Sequence, residues 1–182
     1  MSSGSYGSAP TASYTGVING QVNSADAAAA QASLASLVSA INGLPNSAPT
    51  PTLVNNTYTA TPGVYQFAGS TVAGVHLVFS GGPGDQFYIV SSSFITLDGI
   101  LSISLAGGVQ AKNIFWLANS AFSMTGASPP AIFGTIIANT SASFANGLVV
   151  HGRVFAQTGA VTFGGSTTAV VEGLVNACAP LG

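Results

Sequence analysis

Four stretches of this chain restate one order of parts: an apolar strand, a polar corner, and a second strand that alternates in and out. In Asn113 to Thr125 the parts read Ile-Phe-Trp-Leu-Ala, then Asn-Ser, then Ala-Phe-Ser-Met-Thr. Gln86 to Asp98, Thr135 to Ala145 and Val154 to Gly164 line up beneath it. In that alignment Thr96, Ser123, Ser143 and Thr162 share one column, 27, 20 and 19 residues apart, each between two apolar neighbours. A hydroxyl flanked by apolar residues has the period of two of a half-buried strand, with the hydroxyl toward solvent. Seven residues earlier, Ile89, Trp116, Ile136 and Phe155 make a second column, read as facing inward. A period near 20 residues built from strands and corners, with one insertion, predicts a mainly β fold in which coils stack as a β-solenoid.

One segment breaks the strand pattern. Ser24 or Asn23 can cap a helix, Asp26 falls in its first turn, and Ala27 to Ala30 are strong helix formers. Leu34, Leu37, Val38 and Ile41 then draw a narrow apolar stripe, and Gly43 and Pro45 end it. A helix over 23–43 is roughly 30 Å long at 1.5 Å per residue, close to six coils stacked at about 4.8 Å. One long helix is therefore expected along the solenoid axis. Its place is the sheet of first strands, because those strands are apolar on both sides: Tyr88, Phe115, Thr135 and Val154 flank the inward column, as do Val90, Leu117, Ile137 and Ala156. Residues 1–22 are read as a first coil or end cap, 53–172 as coils, and 173–182 as a closing tail, all within one domain spanning 1–182.

Charge is the abnormal feature of the composition. Only 3% of residues are Asp, Glu, Lys or Arg, against about 25% in ordinary globular proteins. The 47% apolar content disfavours disorder, and no apolar run is long enough to predict a membrane span. A net charge of −2 offers no basic patch for phosphates, which argues against nucleic acid as a partner. Cys178 has no second cysteine to pair with, so it is either a small semi-buried residue or an intersubunit bridge. The opening Met1-Ser-Ser-Gly lacks the charged and apolar regions of a signal peptide.

Five motifs in order carry a family resemblance. They are Asn23-Ser-Ala-Asp-Ala-Ala-Ala-Ala-Gln31, Thr61-Pro-Gly-Val-Tyr65, Leu105-Ala-Gly-Gly-Val-Gln-Ala-Lys-Asn-Ile-Phe-Trp116, Phe133-Gly-Thr-Ile-Ile137 and Gly152-Arg-Val-Phe-Ala-Gln157. Over residues 5 to 172 the chain resembles the ice-binding-like (antifreeze) β-solenoid family of cold-adapted microbes. The resemblance implies a right-handed solenoid of triangular section, a helix alongside it, adsorption to ice and an extracellular location. The chain departs from the family at its front, where an apolar first strand is missing.

The residues themselves argue against catalysis. Asp26, Asp85, Asp98 and Glu172 are scattered over the helix, two turns and the tail, whereas solenoid enzymes acting on acidic polysaccharides cluster their carboxylates. His76 and His151 lie in third strands of different coils without a third ligand, Lys112 and Arg153 begin strands at coil edges, and no Gly-x-Ser-x-Gly elbow occurs. The expectation is a protein that is not an enzyme and needs no metal or cofactor. What remains is the outward face of the second strands. Its candidate contact residues are Thr96, Ala121, Ser123, Thr125, Ser141, Ser143, Ala160 and Thr162, with Phe94 and Asp98 interrupting one coil. Small side chains on a regular sheet make a flat surface on which hydroxyls anchor waters and methyls leave their neighbours free. The partner expected for such a face is ice or an ordered water layer. The rival reading is a self-assembling structural or adhesive subunit, a homo-oligomer or filament, since low charge removes the repulsion that separates monomers.

Overall fold

The computed structural model describes residues 24–127, 130–165 and 168–170, with side chains for 32–127 and 130–165. The expected first coil or cap at 1–22 and the closing tail at 173–182, with Cys178, lie outside the described residues. The helix, α1, spans Ser24–Asn42. A short antiparallel hairpin follows, β1 (Leu53–Val54) and β2 (Thr57–Ala60), turning through Asn55 and Asn56 at φ 47 and 59. Both residues occupy the left-handed region that a tight hairpin turn requires and that Asn tolerates better than most.

Among the described residues five coils then stack in the order of the sequence. The first contains β3 (Gly63–Phe67), β4 (Ser70–Ala73) and β5 (His76–Ser80). The second has β6 (Phe87–Ser91), β7 (Ile95–Asp98) and β8 (Ser102–Ala106). Next come β9 (Ile114–Ala118), β10 (Phe122–Thr125), β11 (Ile132–Ala138), β12 (Ala142–Phe144), β13 (Val149–Ala156), β14 (Val161–Phe163) and β15 (Thr168–Val170). Three parallel sheets result, apart from the antiparallel β1: β15-β13-β11-β9-β6-β3, built on the first strands with β15 beside the third-side half of β13, β14-β12-β10-β7-β4 from the second, and β1-β2-β5-β8 on the third side. Because β2 extends the third side one coil beyond β3 and β4, the described part of the stack begins with a step. A cavity of about 610 Å³ opens there among Tyr58, Tyr65, Phe67, Val72, Leu77 and Phe79.

In coils three and four the third side runs straight into the first strand of the next coil, within β11 and β13. Gly134 and Gly152, paired in register, make those bends at φ 116 and 152. A Cβ built on Gly134 would meet the backbone oxygen of Ile114 at 2.4 Å, so the close approach of the coils also excludes a side chain.

Inward side chains fill the stack. Phe87, Ile114, Phe122, Met124, Ile132, Ile136 and Leu148 are fully buried, and Phe79 meets Trp116 edge to face with ring centroids 5.7 Å apart. Trp116 Nε1–H donates to the carbonyl of Phe133 at 2.9 Å, so its one polar atom is satisfied inside the core. The helix lies against the outer face of the first-strand sheet, as its two-sided apolar strands imply. Ile41 is buried with Val64, Val90, Leu117 and Ile137, and Leu34, Val38 and Leu44 pack around them. Leu37, read as part of that stripe, is 38% exposed. Asn42 and Asn119 exchange amide hydrogen bonds at 2.8 and 3.0 Å, pinning the last turn of the helix to a solenoid corner.

Register corrects one column. Ile89, Trp116 and Ile136 do stack, but Ile136 pairs with Val154, and Phe155 pairs with Ile137 on the outer face. The slip has a local cause. Corners between first and second strands use Ser92 to Phe94, Asn119 to Ala121 and Asn139 to Ser141, whereas the last uses four residues, Gln157 to Ala160. The extra residue moves the inward position from seven to eight before Thr162, and a shift of one reverses the face.

Phe122→Ala, at a fully buried inward position, is expected to cost about 3–5 kcal/mol. Phe155→Ala, at a position 38% exposed, should cost only about 1 kcal/mol. Denaturant unfolding of the two variants checks this, and equal losses would contradict the register.

Candidate functional site

Of the three sides, the helix covers the first. The third is interrupted after β8, where residues 107–113 leave the coil path and end in a 3-10 turn, Ala111–Asn113, whose Asn113 Nδ2 donates to the carbonyl of Pro83 at 2.9 Å. Only the second-strand sheet is both uncovered and continuous through five coils among the described residues. Its inward positions hold it rigid: Ile95, Leu97, Phe122, Met124 and Ala142 are at most 1% exposed.

Its outward positions form a grid. The middle column is hydroxyl in every coil, Thr71, Thr96, Ser123, Ser143 and Thr162, each paired with the next by strand register. Thr71 was not among the sequence candidates. Its corner, Ala68-Gly69, is one residue short, so the inward residue Tyr65 stands six positions before it and a search at seven passes it by. It also lacks the flanking signature, because Ser70 precedes it and only Val72, after it, is apolar. On one side of that column run Gly69, Phe94, Ala121, Ser141 and Ala160, tied by bonds from Ser70 N to Phe94 O, Ile95 N to Ala121 O, Phe122 N to Ser141 O and Ala142 N to Ala160 O. On the other, Ala73 is in register with Asp98 and Asp98 with Thr125, and Ala145 and Gly164 continue the ladder. All eight sequence candidates therefore lie on one contiguous face.

The polar atoms of the grid are partly committed to one another. Thr96 Oγ1 and Ser123 Oγ lie 3.0 Å apart, and Thr125 Oγ1–H donates to Asp98 Oδ1 at 2.6 Å. These bonds hold neighbouring rungs in fixed rotamers, and Asp98, the one charged residue on the grid, has its carboxylate oriented along the sheet. The remaining side chains are Gly, Ala, Ser and Thr, apart from Phe94. With rungs about 4.8 Å apart, the surface is a flat array of methyls and hydroxyls.

The other chemistry-bearing residues do not converge. On the third side His76 Nδ1 lies 2.7 Å from Ser102 Oγ, whereas Asp85 Oδ2 accepts the Gly82 N–H at 2.8 Å and Asp98 Oδ1 accepts from Thr125. His151 stacks on Phe133 with centroids 5.1 Å apart. No group of three or more His, Cys, Asp or Glu that could hold a metal ion occurs among the described residues. Nor does any described helix have the length and apolarity to cross a membrane.

The sequence profile of a family described as ice-binding-like matches residues 2–169. The chain belongs to the ice-binding-like family. It is 31% identical over 114 residues to an ice-binding protein of Flavobacterium frigoris (strain PS1), covering 63% of this chain and 40% of that one. An ice-binding protein of Flammulina populicola is 29% identical over 116 residues, or 64% of this chain and 45% of the relative. The chain thus matches less than half the length of these two relatives. Among solved structures, an ice-binding protein of Shewanella frigidimarina superimposes with a TM-score of 0.70 at 23% identity, over 87% of this chain and 69% of the other, a likeness of fold. One from an Antarctic biological consortium gives 0.68 at 28% identity, over 81% and 67%. This ice-binding-like chain therefore shares the β-solenoid with flanking helix.

Two serines separate the face from the frame behind it. Ser143 is exposed, and Ser143→Ala should change stability by no more than about 0.5 kcal/mol. Ser91 is fully buried in a corner and accepts the Ser93 N–H at 3.1 Å, so Ser91→Ala should cost about 1–3 kcal/mol by leaving that donor unpaired. Thermal melts by circular dichroism check the order.

Proposed function

We propose that this protein adsorbs to ice through the outward face of its second-strand sheet, with Thr96, Ala121, Ser123, Thr125, Ser141, Ser143, Ala160 and Thr162 in contact and Thr71 extending the hydroxyl column to a fifth coil. One observation carries the reading: the side that is neither covered nor interrupted among the described residues bears hydroxyls at every central position and small residues around most of them. Hydroxyls spaced by the backbone ladder anchor a first water layer, and the methyls between them leave neighbouring waters to bond among themselves. Charged groups would impose their own hydration shells, and the grid carries one. Adsorption of this kind requires no cofactor and no catalytic residue. Membership of the ice-binding-like family supports both the partner and an extracellular place of action, where ice is met.

A second reading is favoured by exposed apolar side chains. Val161 and Phe163 are 37% and 38% exposed. Exposed apolar groups of this kind, in a chain with 3% charged residues, would suit self-assembly into an oligomer or filament. Size-exclusion chromatography followed by freezing microscopy separates the two: a monomer that shapes ice crystals supports adsorption, and filaments inert to ice support assembly.

Ser143→Tyr and Thr162→Tyr should each abolish most ice shaping while leaving the melting temperature nearly unchanged, because both sites are exposed and a protruding ring lifts the flat face from the lattice. Unchanged ice shaping by both folded variants would move the site to another side.

A further inference from the structure

Phe94 interrupts the small-residue column beside the hydroxyls, and its surroundings are built for it. It is 42% exposed. Its neighbour on the first coil is Gly69, where a built Cβ would stand 3.2 Å from Phe94 Cε1 and 3.5 Å from Cδ1. The ring therefore lies over the glycine, in space that any side chain there would take. Gly69 has no left-handed backbone angle to explain it, which leaves room for the ring as its function. The backbone of Phe94 is fixed as well. Its carbonyl accepts the Ser70 N–H at 3.2 Å and the Ser91 hydroxyl at 2.8 Å, and Ser91 Oγ also accepts the Ser93 N–H. At the positions in register with Ser91 the next two coils carry Ala118 and Ala138, so neither has the side-chain hydroxyl that orients this corner.

We infer that Phe94, laid across Gly69, is a further ice-contacting residue that supplies an apolar plate next to Thr71 and Thr96. The inference rests on the second-strand sheet being the adsorbing face. A flat ring orders water over it without hydrogen-bonding to it, whereas the adjacent hydroxyls hold water at fixed points. The two together extend the contact across the first two coils, where Gly69 and Ala73 alone would leave the sheet nearly bare. A ring standing upright would instead hold the face off a flat lattice, so the glycine decides whether Phe94 helps or obstructs.

Three variants test this: Phe94→Ala removes the plate, Gly69→Val pushes the ring out of its seat, and Ser143→Tyr blocks the hydroxyl column away from both. Each is measured by partitioning into a growing ice hemisphere and by thermal hysteresis, with circular dichroism melts to establish that it is folded. Phe94→Ala and Gly69→Val are expected to reduce partitioning about tenfold, the scale for loss of an aromatic anchor, and Ser143→Tyr to reduce it as well. If Ser143→Tyr loses activity while the folded Phe94→Ala and Gly69→Val keep the wild-type value, the aromatic plate is overturned and the face stands. If Ser143→Tyr keeps the wild-type value, the face itself is wrong and the inference falls with it. Loss in Phe94→Ala with wild-type behaviour of Gly69→Val would overturn the role of the glycine seat.

Discussion

The backbone ladder between coils is the constraint on which the rest of the structure depends. Each coil donates to and accepts from the next along parallel strands, as from Phe122–Met124 to Ala142–Phe144 and on to Val161–Phe163. Such a ladder fixes the rung spacing and forces residues of one column to agree in size and polarity, because a wrong residue is wrong against two neighbours. It also explains how a chain with 3% charged residues folds to a defined shape. Register is set by backbone bonds and by inward apolar columns, with corner amides such as Asn139 Nδ2 to Asn119 O adding a side-chain ladder of their own.

Where the ladder and the column spacing keep step, the sequence was legible. Ile89, Trp116 and Ile136 each stand seven residues before a hydroxyl of the face, and their stacking followed from that interval. Where a corner gains or loses one residue, periodicity fails in a definite way. The longer corner at Gln157 to Ala160 turned Phe155 from core to surface, and the shorter one at Ala68-Gly69 hid Thr71. Corner length is a local choice of backbone turn with no signature in the apolar pattern, so only pairing partners reveal it. The helix was legible in extent and docking side, since an apolar stripe and a sheet apolar on both faces need each other. Leu37 escaped because a stripe drawn at i, i+3 and i+4 is wider than the contact one helix makes with a flat sheet, which took Leu44 instead.

The face and the frame are products of the same alternation. On β10 the inward Phe122 and Met124 are fully buried, and Ser123 between them points out toward Thr96 and Ser143. Rigidity behind the sheet keeps the outward hydroxyls at the regular intervals of the backbone ladder, and the small residues around most of them keep the sheet nearly level. Covering the first side with a helix and interrupting the third with the 107–113 insertion leaves the second as an extended plane among the described residues. Adsorption to an extended, ordered surface asks for such a plane, whereas chemistry on a small substrate asks for a concave site with converging polar groups.

Placing one tyrosine on each of two uncovered sides tests the central claim most directly. Thr71→Tyr sits at the end of the hydroxyl column on the second-strand sheet, and Ser104→Tyr sits at an exposed position of β8 on the third side. The measurement is thermal hysteresis at matched concentration of folded protein. Loss in Thr71→Tyr with wild-type hysteresis in Ser104→Tyr is the predicted result; loss in Ser104→Tyr with none in Thr71→Tyr would contradict the account.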